Sequence, residues 1–231
     1  MQKLRWLREN WLQGAILAIP FIVIAAFWGR FPERVVVQWN ASGPAKWADK
    51  FPGLLVCPVV SVALAVFLGW IPRLDPRLRR DSEGDGRSGA AIGVIRLATT
   101  ALVSFGALLI ATEALGYHFS SLGVGINVVL LFFVVMGNYL GTVRPNYFVG
   151  IRTPWTLEND DVWRSTHRNC GRILVFGSFT FFALQFFLRP PYMLPCIFGF
   201  VAATGIWSIV YSYWRFRSVN PPDPPPGTPS I

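Results

Sequence analysis

The stretch from residue 137 to residue 172, GNYLGTVRPNYFVGIRTPWTLENDDVWRSTHRNCGR, separates two long apolar runs. It carries five arginines and three acidic residues, together with two tryptophans and two tyrosines. This composition is too polar to cross a bilayer as a helix and too aromatic for an ordinary flexible linker. We therefore expect a folded element that joins two membrane spans.

The rest of the chain has the composition of a membrane protein. Of its 231 residues, 53% are hydrophobic and only 14% are charged, whereas a soluble domain has about 25% charged residues. Six runs of about 16 to 25 residues are nearly free of charge, which is long enough to cross about 30 Å of hydrocarbon as helices. We predict an all-α membrane protein with six transmembrane helices, at residues 11–29, 52–70, 95–115, 122–143, 173–188 and 193–214.

The basic residues predict the orientation of these spans. Sixteen of the 21 lysines and arginines lie on the side of the two termini, and five lie on the other side. The positive-inside rule then places both termini and the loop 144–172 in the cytoplasm, and the loop 30–51 outside. The basic residues behind the net charge of +9 thus serve as topology signals and as contacts with the lipid bilayer. We predict no direct binding of nucleic acid.

The span pattern divides the chain into four parts. They are an N-terminal two-span unit at 1–72 that contains the external loop 30–51, a cytoplasmic linker at 73–94, a four-span unit at 95–214, and a disordered proline-rich tail at 215–231. Within the external loop, Val35, Val37 and Trp39 alternate with other residues, which is a weak strand signal.

The second half of the central stretch has the period of a helix. Trp163, Thr166, His167 and Cys170 fall on one face, at steps of three and four residues. Asp160, Arg164, Arg168 and Arg172 follow one another at steps of four on another face. This pattern predicts a cytoplasmic amphipathic helix that lies at the membrane surface and leads into the fifth span.

The sequence predicts no catalytic, cofactor or metal site. His167, Asp161 and Glu158 are the possible ligands in the loop, but they form no HExxH motif, and the other histidine, His118, falls on the opposite side. The three cysteines form no CxxC pair. We therefore expect the protein not to be an enzyme. The alternative that remains is a membrane enzyme that uses His167.

Two polar residues of the fourth span share a helix face. Asn127 and Asn138 are eleven residues apart, close to three turns, and Gly137 and Gly141 form a pair of small residues beside Asn138. Helix packing through hydrogen bonds is one interpretation. The other is a polar face that lines the path of a small-solute transporter or channel, although no span carries a charge near its middle.

The central stretch resembles the signature of the bacterial SdpI family, and the resemblance extends to about residue 177. The matching residues are Asn138, Pro145, Asn146, Gly150, Arg152, Thr153, Pro154, Trp155, Thr156, Trp163, Thr166, His167 and Gly171. The external loop is similar to a domain of unknown function that often precedes this family, with Gln38 where that domain usually has histidine. The resemblance implies a multi-pass protein of the bacterial inner membrane that confers immunity against a secreted peptide toxin and captures a cytoplasmic transcriptional repressor.

Two surfaces are the candidates for these roles. The external loop would contact a toxin or another ligand through Gln38, Trp39, Asn40 and Trp47. The cytoplasmic loop would contact lipid or a protein partner through Arg152, Trp155, Trp163, Arg164, His167 and Arg168. The hypothesis is an immunity or signalling protein, with the small-solute transporter or channel as its alternative.

Overall fold

The computed structural model describes residues 2–40, 43–78, 86–117 and 121–220. Within these ranges the chain is mostly helical, with one β-hairpin near its N-terminal end. The main helices are α1 (Gln2–Ala26), α2 (Lys50–Leu74), α3 (Arg87–Ala114), α4 (Ser121–Leu140), α5 (Pro154–Glu158), α6 (Asp160–Leu184) and α7 (Pro190–Val219).

Four helical segments in the described part of the chain are long and apolar enough to cross a membrane. They are Lys50–Leu74, Ser88–Ala114, Leu122–Leu140 and Tyr192–Val219, which correspond to four of the six predicted spans. The predicted first span forms the shorter apolar helix Trp11–Ala26. The predicted fifth span, 173–188, begins inside α6 rather than at a helix start.

Helix α6 differs from the prediction of two separate elements. A single helix runs through 25 residues from Asp160 to Leu184, so the predicted amphipathic helix and the predicted fifth span are continuous. No glycine with positive φ and no proline interrupts it, because Gly171 and Gly177 both keep helical geometry. One continuous helix therefore joins the predicted surface segment to the predicted fifth span.

The hairpin departs from the predicted all-α class. Strand β1 (Arg34–Asn40) pairs antiparallel with β2 (Gly43–Asp49), and the register shifts around Gln38. Val35 is 1% exposed and joins a core cluster with residues of α1, α2 and α3. The weak strand signal was correct, and the hairpin is stable here because its apolar side packs on helices instead of standing alone.

The backbones of α4 and α6 approach each other at two glycines. A Cβ atom on Gly137 would lie 2.5 Å from the carbonyl oxygen of Gly171, and one on Gly171 would lie 2.3 Å from the carbonyl oxygen of Gly137. No side chain fits at either position, which is the behaviour of small residues at a membrane helix interface. This contact fixes the middle of α6 beside the last turn of α4.

The predicted linker and tail are partly helical. Helix α2 extends to Leu74 and α3 begins at Arg87, so helix occupies both ends of the predicted linker 73–94, while residues 79–85 lie outside the described residues. Helix α7 continues to Val219, so the first residues of the predicted disordered tail are helical. The rest of that tail, 221–231, lies outside the described residues.

Candidate functional site

The loop 144–172 begins with a turn that a single side chain holds together. Asn146 is fully buried, and its Oδ1 accepts hydrogen bonds from the backbone N–H groups of Phe148 (2.9 Å) and Val149 (2.7 Å). Its Nδ2 donates to the carbonyl oxygens of Arg144 and Val149, both at 3.0 Å. The four bonds saturate the amide, so Asn146 has a structural role in the turn.

Two threonines start the short helix α5. Oγ1 of Thr153 accepts from the backbone N–H of Thr156, and the Thr153 backbone N–H donates to Oγ1 of Thr156, which together form a capping box. Pro154 occupies the first helical position, where its missing N–H costs nothing. Thr153 Oγ1 also lies 3.1 Å from Oγ of Ser212 on α7. The loop is therefore tied to the last helix.

Trp163 and His167 form the centre of the folded loop. Both side chains are fully buried, and their rings stack with centroids 4.0 Å apart. The indole Nε1 donates to the Val143 carbonyl at 2.8 Å. Thr166 and Cys170 are buried as well, so the helix face predicted from the period of three and four is the face that packs inside.

The hydrogen bonds of His167 define its tautomer. Nδ1 lies 2.8 Å from the Trp163 carbonyl, which can only accept, and Nε2 accepts from the backbone N–H of Ile151 at 2.9 Å. The ring is therefore neutral, with its proton on Nδ1. Burial lowers the pKa of His167 from 6.5 to about 4, and the bond to the Trp163 carbonyl opposes this shift. A buried, fully bonded imidazole is not poised for acid–base chemistry near neutral pH.

The predicted contact surface of the loop needs correction. Trp163 and His167 have no exposed area, so they contact neither lipid nor a partner. Sequence period alone cannot distinguish a buried aromatic face from one that lies in the membrane interface. Trp155 is half-buried, with its ring 5.1 Å from that of Tyr213, while Arg152 is exposed.

The exposed arginines of α6 lie among other arginines. We define the basic surface as Arg144, Arg164, Arg168 and Arg215. One concavity of about 420 Å³ is lined by Arg144 and Arg164, together with Asp160. A second, of about 390 Å³, is lined by Arg164, Arg168 and Arg215, together with Asp161. Arg164 also forms an exposed ion pair with Asp161 at 2.5 Å. The excess of arginine suits an acidic group on a lipid or a protein.

Asp75 is an important residue that the sequence analysis missed. It is fully buried, its Oδ2 accepts from the backbone N–H of Tyr147 at 2.6 Å, and its Oδ1 accepts from that of Arg77 at 2.8 Å. The Arg77 guanidinium lies 4.8 Å from the centre of the Tyr147 ring. The only sequence signal was an isolated acid before a proline in a basic segment. The segment after α2 is therefore bonded to the loop 144–172.

The two asparagines of α4 have different surroundings. Asn127 and Gln185 exchange two hydrogen bonds of 2.9 Å, from each amide nitrogen to the other amide oxygen. Asn138 is exposed, eleven residues further along the helix. The structure does not bring them into one polar path, and the paired amides favour the packing interpretation.

The candidate residues of the hairpin divide into exposed and half-buried side chains. Gln38 and Trp47 are exposed, and Trp47 has half of its surface accessible. Trp39 is half-buried, and its Nε1 is buried without a hydrogen-bond partner. It lines an apolar cavity of about 490 Å³ beneath the hairpin, between α3, α4 and α7. Asn40 ends β1, and its side chain lies outside the described residues.

The described residues include no group of three histidine, cysteine, aspartate or glutamate side chains placed to hold a metal ion. His167 uses both ring nitrogens in hydrogen bonds to the backbone. Asp161 is exposed and pairs with Arg164, so the ligands considered from the sequence do not converge.

Comparison with known proteins supports the resemblance seen in the sequence. The SdpI/YfhL protein family matches residues 142–212, and a domain of unknown function (DUF1648) matches residues 15–62. Immunity protein SdpI of Bacillus subtilis (strain 168) is 24% identical to the chain over 216 residues, which are 93% of this chain and 99% of that protein. No solved structure matches the chain. The predicted resemblance to the SdpI family is confirmed: the chain is a multi-pass protein of the bacterial cell membrane in which an SdpI/YfhL region follows a DUF1648 region.

Proposed function

We propose that the protein is an integral membrane immunity protein that protects its cell against a secreted peptide toxin. The observation that carries the proposal is the similarity, along 93% of the chain, to a protein named for immunity. The saturated hydrogen bonds of His167 and Asn146 support a role by contact and not by catalysis. We therefore propose a non-enzymatic protein.

The proposal includes six crossings with both termini in the cytoplasm. Four helices have the length and composition of spans, and the apolar helix Trp11–Ala26 and the apolar second half of α6 supply two more segments. The excess of lysine and arginine on the side of the termini supports this orientation. The hairpin would then face outwards, and the basic surface would face the cytoplasm.

The hairpin is the proposed contact for the toxin. Gln38 and Trp47 offer an exposed amide and an exposed indole on a hairpin whose other side is fixed to the helices. Exposed tryptophans on rigid elements contribute strongly to protein contacts. The apolar cavity beneath Trp39 lies next to them and suits an apolar side chain of such a peptide.

The basic surface is the proposed contact for a cytoplasmic transcriptional repressor. Arg164 and Arg168 are exposed and line a shared concavity with Arg215. We expect Arg164→Glu with Arg168→Glu to release a repressor that co-purifies with the protein. The matched control is Arg189→Glu, because Arg189 is exposed and lies between α6 and α7, at the N-cap of α7. Retention of the repressor by the double variant, at the wild-type level, would remove this surface from the proposal.

The experiment for the immunity role is deletion of the gene, followed by challenge with secreted peptides. The probes are concentrated culture supernatants of related strains and a purified membrane-active peptide. We expect deletion to sensitise the cell and the wild-type gene to restore resistance. We expect Trp47→Ala to restore less than Trp70→Ala, since Trp47 and Trp70 are similarly exposed, at 50% and 56%, but only Trp47 is in the hairpin. Both variants are checked for equal amounts in the membrane.

Unchanged sensitivity of the deletion strain to every probe would contradict the immunity role. Equal protection by Trp47→Ala and the wild type, with a sensitive deletion strain, would keep the role and reject the hairpin as the contact.

A further inference from the structure

We propose that a phospholipid headgroup binds in a cavity between α1 and α3 that is mainly apolar but contains Gln13 and Arg96, at the membrane face on which α1 begins. The cavity has a volume of about 260 Å³, and its lining includes Trp11, Gln13, Gly93, Arg96 and Leu97. It shares no lining residue with the apolar cavity under the hairpin or with the concavities of the basic surface. The proposal is independent of the immunity role.

The orientation of the Gln13 amide follows from its neighbour. Oγ1 of Thr100 donates its only proton to a carbonyl oxygen of its own helix, with those of Arg96 at 2.9 Å and Leu97 at 3.1 Å within reach. It can then only accept from Gln13, whose Nε2 lies 2.8 Å away. The Gln13 amide oxygen must therefore point away from Thr100. That oxygen is buried without a partner, on a side chain that is only 8% exposed.

Arg96 supplies a group of opposite hydrogen-bonding character. Its Nε is buried and has no partner, and among the side chains that the structure describes, which begin at Trp11, no carboxylate pairs with its guanidinium. The side chain passes α2 at Gly69, where a Cβ atom would lie 2.9 Å from Nη1 of Arg96. A charged side chain within an apolar helix marks a functional position in a membrane protein.

These two groups define the ligand chemistry. An unpartnered cationic donor requires an anionic acceptor, and phosphate is a preferred partner of arginine. An unpartnered amide oxygen requires a donor such as a hydroxyl or an ammonium group. Phosphatidylglycerol and phosphatidylethanolamine carry a phosphate with a donor a few bonds away, whereas phosphatidylcholine carries the phosphate without a donor.

The depth of the cavity favours a lipid over a free ion. Arg96 lies 18 residues before the end of α3, which is about 27 Å of helix, close to the 30 Å thickness of the hydrocarbon core. Arg96 is therefore level with the headgroups of the leaflet at the N-terminal side of α1. Trp11 lines the same cavity and is 64% exposed, as expected for a tryptophan in the membrane interface.

The test is native mass spectrometry of the full chain in neutral detergent. The protein is titrated with phosphatidylglycerol, with phosphatidylcholine of the same acyl chains and with inorganic phosphate. We expect phosphatidylglycerol to bind more tightly than phosphatidylcholine, and Arg96→Gln to weaken both lipids by about tenfold. Gln13→Met should reduce the affinity for phosphatidylglycerol to the affinity for phosphatidylcholine, and it should leave the affinity for phosphatidylcholine unchanged. Arg189→Gln, which removes an exposed charge elsewhere, should change neither.

Three results would overturn the proposal. Equal binding of lipid by the wild type and Arg96→Gln would show that the guanidinium holds no phosphate. Competition by inorganic phosphate at the concentration of the lipid would indicate a soluble ion. Lower thermal stability of Gln13→Met with unchanged lipid binding would show that Gln13 and Arg96 stabilise the fold by contacts with each other and do not bind lipid. Unfolded variants are recognised by size-exclusion chromatography, and Arg96→Lys then tests the charge with less disturbance.

Discussion

The backbone N–H of Ile151 donates to Nε2 of His167 across 2.9 Å, sixteen residues along the chain. The bond closes the turn at Gly150 onto helix α6. Because Nδ1 of the same ring donates to the Trp163 carbonyl, protonation of Nε2 would remove the acceptor of Ile151 and place a charge in a fully buried site. The bond therefore exists only with the neutral ring.

The stability of the protein should depend on the titration of His167. Its pKa is lowered from 6.5 to about 4 in the folded protein, so the unfolded chain takes up the proton first as the pH falls. The stabilisation is complete above pH 6.5 and decreases between pH 6.5 and 4. We expect the free energy of unfolding to fall by about 2 kcal/mol from pH 7 to 5 through this group.

The measurement is denaturant unfolding in detergent micelles at pH 7, 6 and 5, for the wild type and for His167→Gln. We expect the pH dependence to be smaller in the variant by the stated amount. If the free energy of unfolding falls equally with pH in the wild type and the variant, the pH dependence comes from other groups.

Gly150→Ala should disrupt the same turn. Gly150 has a φ of +118°, and a Cβ atom there would lie 2.3 Å from Nε2 of His167. The control is Gly116→Ala, since Gly116 has a φ of +87° but nothing within 4 Å of its Cβ position. In both variants the backbone conformation lowers the stability by on the order of 1 kcal/mol. Only in Gly150→Ala does the clash with His167 lower it further. We expect a larger loss of thermal stability in Gly150→Ala. Equal losses in the two variants would show that the turn accommodates the methyl group without a further loss of stability.

Gly171→Ala should separate α4 from α6. The added methyl would overlap the Gly137 carbonyl oxygen, and overpacking of this kind costs about 1–3 kcal/mol. Gly205→Ala is the control, because that position in α7 is open and alanine favours helix over glycine by up to about 1 kcal/mol. Thermal unfolding of the two variants should therefore shift in opposite directions. A neutral Gly171→Ala would contradict the close contact of the two backbones.

The Asn127–Gln185 pair should behave as a unit in a double-mutant cycle. Asn127→Leu or Gln185→Leu alone leaves one amide unpartnered, whereas the double variant removes both polar groups. We expect a coupling energy of about 0.6 to 2 kcal/mol. Additive effects would mean that the two bonds contribute nothing to stability. Solute flux in proteoliposomes should be the same for wild type and Asn127→Leu, and a loss of flux in the variant would revive the transporter or channel.

Local pattern predicted much of this structure. The runs of apolar residues located the helices, and alternation of side chains located β1. The period of three and four placed Thr166 and Cys170 on one face of α6, and the structure shows that this face is buried. Thr153 followed by Pro154 is also a local helix-start pattern, and the structure has a capping box there. These features depend on neighbours within a few residues, and the sequence records such neighbours directly.

Contacts between residues that are distant in the chain could not be predicted from local sequence pattern. The bond from Tyr147 to Asp75 joins positions 72 residues apart, and the amide pair Asn127–Gln185 joins positions 58 apart. The prediction placed Trp163 at the lipid headgroups because an aromatic face suits both a membrane interface and a core. Only packing against the Val143 carbonyl and His167 decides between the two environments.

The buried carboxylate of Asp75 has a consequence for how such proteins can recombine. Asp75 lies outside both matched regions, 15–62 and 142–212, yet it accepts a backbone N–H from Tyr147 inside the second. The two regions are therefore not interchangeable modules. A chimera that takes residues 142–212 from a relative must keep an acceptor at position 75, and a gene fusion that cuts the chain between α2 and α3 would sever the second region from the residue that holds its first turn in place.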